Sequence, residues 1–183
     1  IQPSTSLKSD TAALNSRLAF GALQEYARSG LLDRMLFIQK SRIEALVGDV
    51  PINLYEKRIA EILSYTTAML YFFENSDAVI STTYDRPVGC RLATIGVSSL
   101  DTTTSEIKLL FPVEETRTIE FYYGVPHEQI ETNVELMTQI KNHISKHFEF
   151  SEKETSFSYK VVPIDSNEPY LLGAFYVLEP QKF

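Results

Sequence analysis

The hydrophobic spacing changes character along the chain. From Leu7 to Val47 apolar residues recur at three- and four-residue intervals, which predicts helix. Leu14, Leu18 and Ala22 share one face; Leu31, Met35, Ile38 and Leu46 share another, with Leu32, Leu36 and Ile43 beside them. Gly21 and Gly30 interrupt the pattern, each costing roughly 1 kcal/mol against Ala inside a helix. "ARSGLLDRM" therefore reads as a break between two helices. "GDVP" at 48–51 is a stop, because Gly48 can cap and Pro51 cannot continue a helix.

The helix restarts at Ile52, with Leu54, Arg58, Ile62 and Tyr65 as neighbours and Ile59 and Leu63 beside them. "TTAMLYFF" is then β-branched and aromatic, which predicts a switch to strand near Thr66 or Thr67. "ENSD" is a turn and "AVISTT" a returning strand, so 70–83 reads as a hairpin fed by a helix. "RPVGCRLATIGV" predicts a third strand, and "SEIKLLFP" (105–112) with "RTIEFYYG" (117–124) a hairpin around "VEET". Residues 128–148 come next as the clearest helix, with Ile130, Val134, Met137, Ile140 and Ile144 as its buried stripe. "SFSYKVVPI" and "YLLGAFYVLEP" close the chain as two strands. The expected class is α+β: a helical N-terminal part (1–66), then an antiparallel sheet (67–183) with one long amphipathic helix packed on it. The whole of 1–183 is expected to be a single domain.

Composition narrows the function. The chain is 44% hydrophobic, and its 11 Phe and 10 Tyr can fill a core without a covalent staple. A net charge of −7 argues against a nucleic-acid partner, since phosphate contacts need clustered Lys and Arg. The acidic excess concentrates in 101–150, with nine Asp and Glu against four Lys and Arg. It reads as solvated surface. The one cysteine, Cys90, forms no intrachain disulfide and no Cys-pair zinc site, and reads as a small buried apolar residue. No run of 18 apolar residues exists to span a membrane, and no signal peptide is present. The chain begins with Ile1, as a processed product or an excised piece would.

Candidate chemistry is sparse. His143 and His147 lie at i and i+4, a metal-ligand spacing, but His147 falls inside the apolar stripe and His143 at its edge. His127 is about four turns away and cannot join them. No metal, cofactor or catalytic residue is assigned. P-loop, GxGxxG, nucleophile elbow and CxxC are all absent, so the chain reads as non-enzymatic. Aromatic side chains on the expected hairpin, and arginines flanking the third strand, are the candidates for ligand binding: Tyr71, Phe73, Tyr84, Arg86 and Arg91. Arg86 and Arg91 suit an anionic group bidentately.

"RIAEILSYTTAMLYFFENSDAVISTT" resembles the opening of extracytoplasmic Cache/PAS-like sensor domains of bacterial membrane receptors, where a helix runs into a hairpin. "YLLGAFYVLEPQKF" is similar to their closing strand. The resemblance implies a non-catalytic sensing domain that binds a small molecule or a protein partner. It further implies the periplasmic side of a membrane-anchored protein and a homodimer through the N-terminal helix. The alternative uses 117–178, which run strand, helix, strand, strand. They suit a ferredoxin-like βαββ unit on a helical stalk, as in envelope assembly proteins. A cytoplasmic placement remains open beside the extracytoplasmic one.

Overall fold

The computed structural model describes residues 9–82, 86–98, 107–149 and 155–182. Helices α1 (Asp10–Arg28), α2 (Lys40–Val47) and α3 (Ile52–Asn75) form the first part, with a short strand β1 (Met35–Phe37) between the first two. Strands β2 (Ile80–Thr82), β3 (Leu92–Ser98), β4 (Lys108–Leu109) and β5 (Thr116–Pro126) come after them. Then come α4 (His127–Thr132), α5 (Leu136–Glu149), β6 (Ser156–Ile164) and β7 (Tyr170–Val177). The sheet runs β1-β3-β7-β5-β6-β2, with β4 added to β3.

The α/β mixture expected from sequence is present, but the sheet is mixed rather than antiparallel. β1 runs parallel to β3 and β5 parallel to β6, while β7 is antiparallel to both β3 and β5. The reason lies in the connection: strands joined through a helical crossover come out parallel, and α4 and α5 stand between β5 and β6. Within the described part of the hairpin expected over 105–124 (residues 105 and 106 lie outside it), β4 and β5 do not pair with each other. β4 pairs with β3, and β5 sits between β7 and β6.

The breaks at Gly30 and Gly48 are where the spacing placed them, both at positive φ (88° and 67°) that a Cβ would strain. The chain does not resume as helix after Gly30, however. The amide of Met35 donates to the Arg91 carbonyl at 2.8 Å, and Met35–Phe37 lie extended along β3.

The largest correction is at 66–75. No strand begins at Thr67; α3 continues to Asn75. Ile59, Thr66, Leu70 and Phe73 recur at helical spacing and form its buried stripe. That packing overrides the local β preference of "TTAMLYFF". The threonine hydroxyls turn inward on the helix, Thr66 Oγ1 donating to the Ile62 carbonyl at 2.7 Å and Thr67 Oγ1 to that of Leu63 at 2.9 Å. At the end, Asn75 Nδ2 and Ser76 Oγ donate to the carbonyls of Tyr71 and Phe72, satisfying groups that the last turn leaves open.

The helix expected over 128–148 is also corrected. It breaks at Asn133, whose extended backbone separates α4 from α5 and throws Val134 out of the stripe to 96% exposure.

Strand alternation divides the core into two faces. Ala93, Ile95, Tyr122, Leu172, Ala174 and Tyr176 pack under α2 and α3. Phe121, Tyr123, Val125, Leu171 and Phe175 pack under α5, and Ala27, Phe37, Leu92 and Val177 form a third cluster, with Ala27 from α1. Leu14 and Leu18 on α1 stay exposed.

Candidate functional site

A polar cluster lies where the end of α3 meets the sheet. Arg34, in the turn before β1, holds both oxygens of Glu74 in the last turn of α3, with its Nη2 donating to Oε2 at 3.0 Å. Its Nη1 also donates to the Tyr176 hydroxyl on β7 at 3.0 Å. Arg86, before β3, reaches Glu120 on β5 through Nε at 3.2 Å and Nη2 at 3.1 Å. Tyr122 donates its hydroxyl to the same carboxylate at 2.9 Å. The Arg86 guanidinium lies 3.9 Å from the centre of the Tyr176 ring, linking the two pairs. Lys160 Nζ on β6 donates to the main-chain oxygen of Glu74 at 3.1 Å.

A carboxylate in an apolar strand must find a partner, and the side chain of Glu120 is only 13% exposed. Burial pushes the Tyr176 hydroxyl up to about 12, and the Glu120 charge adds to this while both arginines oppose it. Burial, then the Glu120 charge, raises Tyr122 also. The Glu74 hydrogen bond raises Arg34 further. The cluster therefore holds its arginines and carboxylates in matched pairs. It ties α3, the α1–β1 turn, the segment before β3 and three strands together.

Among the sequence candidates, Arg86 and Phe73 meet here. Phe73 is fully buried and stacks on Tyr122 at 5.9 Å and on Tyr170 at 6.2 Å. It reaches that depth because Gly124 has no side chain; a Cβ there would sit 2.8 Å from Phe73 Cζ. Tyr71 stands on the outer face of α3, 71% exposed. Arg91 belongs to the α1–β1 turn, where its Nη1 donates to the Leu32 carbonyl at 3.2 Å and it packs over Gly30. Tyr84 lies outside the described residues. The four described residues form no common wall. Arg34, Glu74, Glu120, Tyr122 and Tyr176 are not among the residues the sequence pointed to. One signal was available: in "RTIEFYYG" the lone carboxylate Glu120 shares a strand face with Tyr122.

On the other face of β5, Tyr123 Oη and His143 Nδ1 share a hydrogen bond of 2.9 Å. The His147 ring lies tilted beside that of His143, their centres 4.7 Å apart. Burial holds His143 at about 4, with the neighbouring His147 and Lys146 acting in the same direction, and burial lowers His147 too. His143 Nε2 has no hydrogen-bond partner among the described residues. No group of three or more His, Cys, Asp or Glu able to hold a metal occurs among them either. Burial raises the Cys90 thiol. At the surface, a hollow of about 360 Å³ opens between α2 and β4, lined by residues including Arg42, Leu46, Lys108 and Leu109. Another, of about 450 Å³, has Arg28 and Glu25 beside Val88.

No protein-family model matches the chain, and no curated protein matches its sequence. Solved structures match its fold. An FtsZ dimer from M. jannaschii has a TM-score of 0.67 at 13% identity over 90% of this chain and 50% of its own. CetZ from Methanosaeta thermophila strain DSM 6194 gives 0.62 at 15% identity, over 96% and 50%. TubZ of Bacillus thuringiensis serovar israelensis, as a GTPγS-form protofilament, gives 0.60 at 14% identity, over 92% and 49%. The chain has the fold of one part of FtsZ-, CetZ- and TubZ-type proteins, and it spans about half the length of each. Other TubZ structures are GDP-form protofilaments and two- and four-stranded filaments.

These neighbours overturn the sensor resemblance. The helix-to-hairpin opening that carried it is an uninterrupted α3, and the fold is not that of a Cache/PAS domain. The small-molecule sensing function, the membrane anchoring and the extracytoplasmic placement rested on that resemblance and fall with it. No helix among the described residues is long and apolar enough to cross a membrane. The envelope-assembly alternative gains nothing: its strand, helix and strand order is real, but the fold matches are to FtsZ, CetZ and TubZ. The non-enzymatic reading is corrected as well, since this fold occurs in a protein with GTPγS and GDP forms. Of the expected partners, self-association has a counterpart in the FtsZ dimer and the TubZ filaments.

Proposed function

We propose that this chain is a building block of an FtsZ- and TubZ-like protein that assembles into filaments under the control of guanine nucleotide. The observation that carries the reading is the fold match over nine-tenths of the chain to proteins solved as a dimer and as protofilaments. On this reading the chain acts as one domain, in which the Arg34–Glu74 pair holds α3 against the turn before β1 and the Arg86–Glu120 pair holds β5 against the segment before β3. The seven glycines stand singly and form no phosphate loop. The phosphate contacts are then completed by residues beyond this chain, and GTP turnover belongs to the assembled polymer. The cytoplasm, where guanine nucleotides are plentiful, is the matching compartment.

The test is pelleting and negative-stain microscopy of the protein with GTPγS, GTP and GDP, together with phosphate release from GTP. The expected result is filaments favoured by GTPγS over GDP and phosphate release that rises with protein concentration. A folded protein that stays dispersed in every nucleotide state would overturn the reading.

A further inference from the structure

Two surface features complement each other. Val134 stands almost fully bare on the corner between α4 and α5. The corner is fixed by Asn133, whose Oδ1 accepts from the Glu135 amide at 3.0 Å and whose carbonyl accepts from the Leu136 amide at 3.2 Å. The exposed carboxylates of Glu128, Glu131 and Glu135 flank it in sequence, and none has a cationic partner among the described residues. The second feature is the hollow between α2 and β4. Leu46, Leu109, Pro112 and Val113 give it apolar walls, and Arg42 and Lys108 line it as cations. Neither cation has a carboxylate partner among the described residues.

We infer that the Val134 corner of one copy seats in the Arg42/Lys108 hollow of a second copy of this chain. The choice of occupant comes from charge. Two copies that each carry −7 repel one another over most of their surface. An acidic rim meeting an unpaired basic hollow is a place where that repulsion reverses. The valine supplies the desolvated centre, and the ion pairs at the rim set the register. Val88 and Ile52 are as bare, but Arg28 shares a hollow with Val88, and Lys57 and Arg58 come after Ile52 in sequence. Neither presents a rim of one sign.

A single pairing leaves a free knob on one copy and a free hollow on the other, and such a heterologous contact propagates where its rotation closes neither a reciprocal pair nor a ring. The inference rests on the filament reading and names one contact within it.

The test is sedimentation velocity of the chain over a concentration series, at low and high salt, with Val134→Asp and with Arg42→Glu/Lys108→Glu. Val134 is bare, so its variant keeps the fold, which circular dichroism checks. Each variant should lower the self-association constant by about tenfold or more, as expected of a residue at the centre of a contact. Mixing the two variants restores one intact knob and one intact hollow, and should give a heterodimer that grows no further. Association of the unmodified chain should weaken with salt. If both variants associate like the unmodified chain, the contact is elsewhere and only this inference fails. If each variant is monomeric and their mixture is too, knob and hollow are not partners. An unmodified chain that stays monomeric throughout the concentration series overturns this inference alone, since the filament reading places the phosphate contacts beyond this chain.

Discussion

Glu120 and Tyr122 on one side of β5, and Phe121 and Tyr123 on the other, are separated only by the thickness of a strand. The first pair enters a cluster of matched full charges beneath α3. The second enters a cluster of neutral rings beneath α5, where two histidines are kept uncharged by burial. Both faces bury polar atoms, but they satisfy them differently. Fixed ion pairs respond little to pH near neutrality and strongly to loss of a partner. A buried neutral imidazole behaves in the opposite way, because protonation alone converts it into an unpaired charge. The two helices resting on one strand are therefore held by devices that can be broken separately.

The largest effect is expected on the α3 side, through Phe73 and Gly124. Phe73→Ala empties a space stacked between Tyr122 and Tyr170, and should cost about 3–5 kcal/mol. Gly124→Val should act in the same direction from the opposite partner, since its side chain would occupy the place of the Phe73 ring. Urea unfolding measures both. If the glycine variant is neutral, α3 does not depend on this close approach.

Next is the pH response of the α5 side. His143 sits at about 4 in the folded chain against an ordinary 6.5. The unfolded chain therefore binds a proton before the folded one does, so stability is full above pH 6.5 and falls as pH drops from 6.5 towards 4. Below that both states are protonated and this loss ends. The whole change is roughly 3 kcal/mol. His147, lowered in the same direction, adds to it. The groups facing the imidazole pair are Tyr123, Phe121, Lys146 and each other. Urea midpoints across this range should flatten in His143→Gln. An unchanged slope would place the acid sensitivity elsewhere.

Glu120→Gln is expected to cost about 1–3 kcal/mol by leaving Arg86 with a neutral partner in a half-buried place. Urea unfolding at neutral pH measures it, and unchanged stability would mean that the Arg86–Glu120 pair does not hold β5 to the segment before β3.

The sequence carried the sheet-forming segments well where alternation and aromatic content coincided, as over 92–98, 116–126, 156–164 and 170–177. It misled where composition and spacing disagreed. In "TTAMLYFF" the residue types favour strand, while Thr66, Leu70 and Phe73 keep a helical interval. At Val134 the interval favours burial, but one asparagine side chain capping the next helix breaks it. The charged cluster was harder to see, because Arg34, Glu74, Glu120 and Tyr176 come from segments far apart in the chain. Their partnership exists only once β7 is placed between β3 and β5, and strand order was the least legible feature. Arg86 stands out in the sequence because it sits beside a strand start, but nothing near it marks Glu120 as its partner.

The smallest expected effect concerns the bond that joins β5 to α5. Tyr123 Oη lies 2.9 Å from His143 Nδ1, and burial keeps the phenol protonated at any ordinary pH. A protonated phenol donating to Nδ1 stabilises the neutral imidazole and leaves its proton on Nε2. Tyr123→Phe removes that donor but keeps the ring that packs edge-on against His143. The cost near neutral pH should be about 1 kcal/mol, the usual worth of one buried hydrogen bond. Without the donor, neutral His143 loses its advantage, so its pKa should rise towards 6.5 and the acid loss of stability should shrink. Two readings check this: the urea midpoint at neutral pH, and the imidazole chemical shifts followed through the titration. If the variant lost stability yet kept the same titration, the hydroxyl would be a packing partner only, and burial alone would hold His143 neutral.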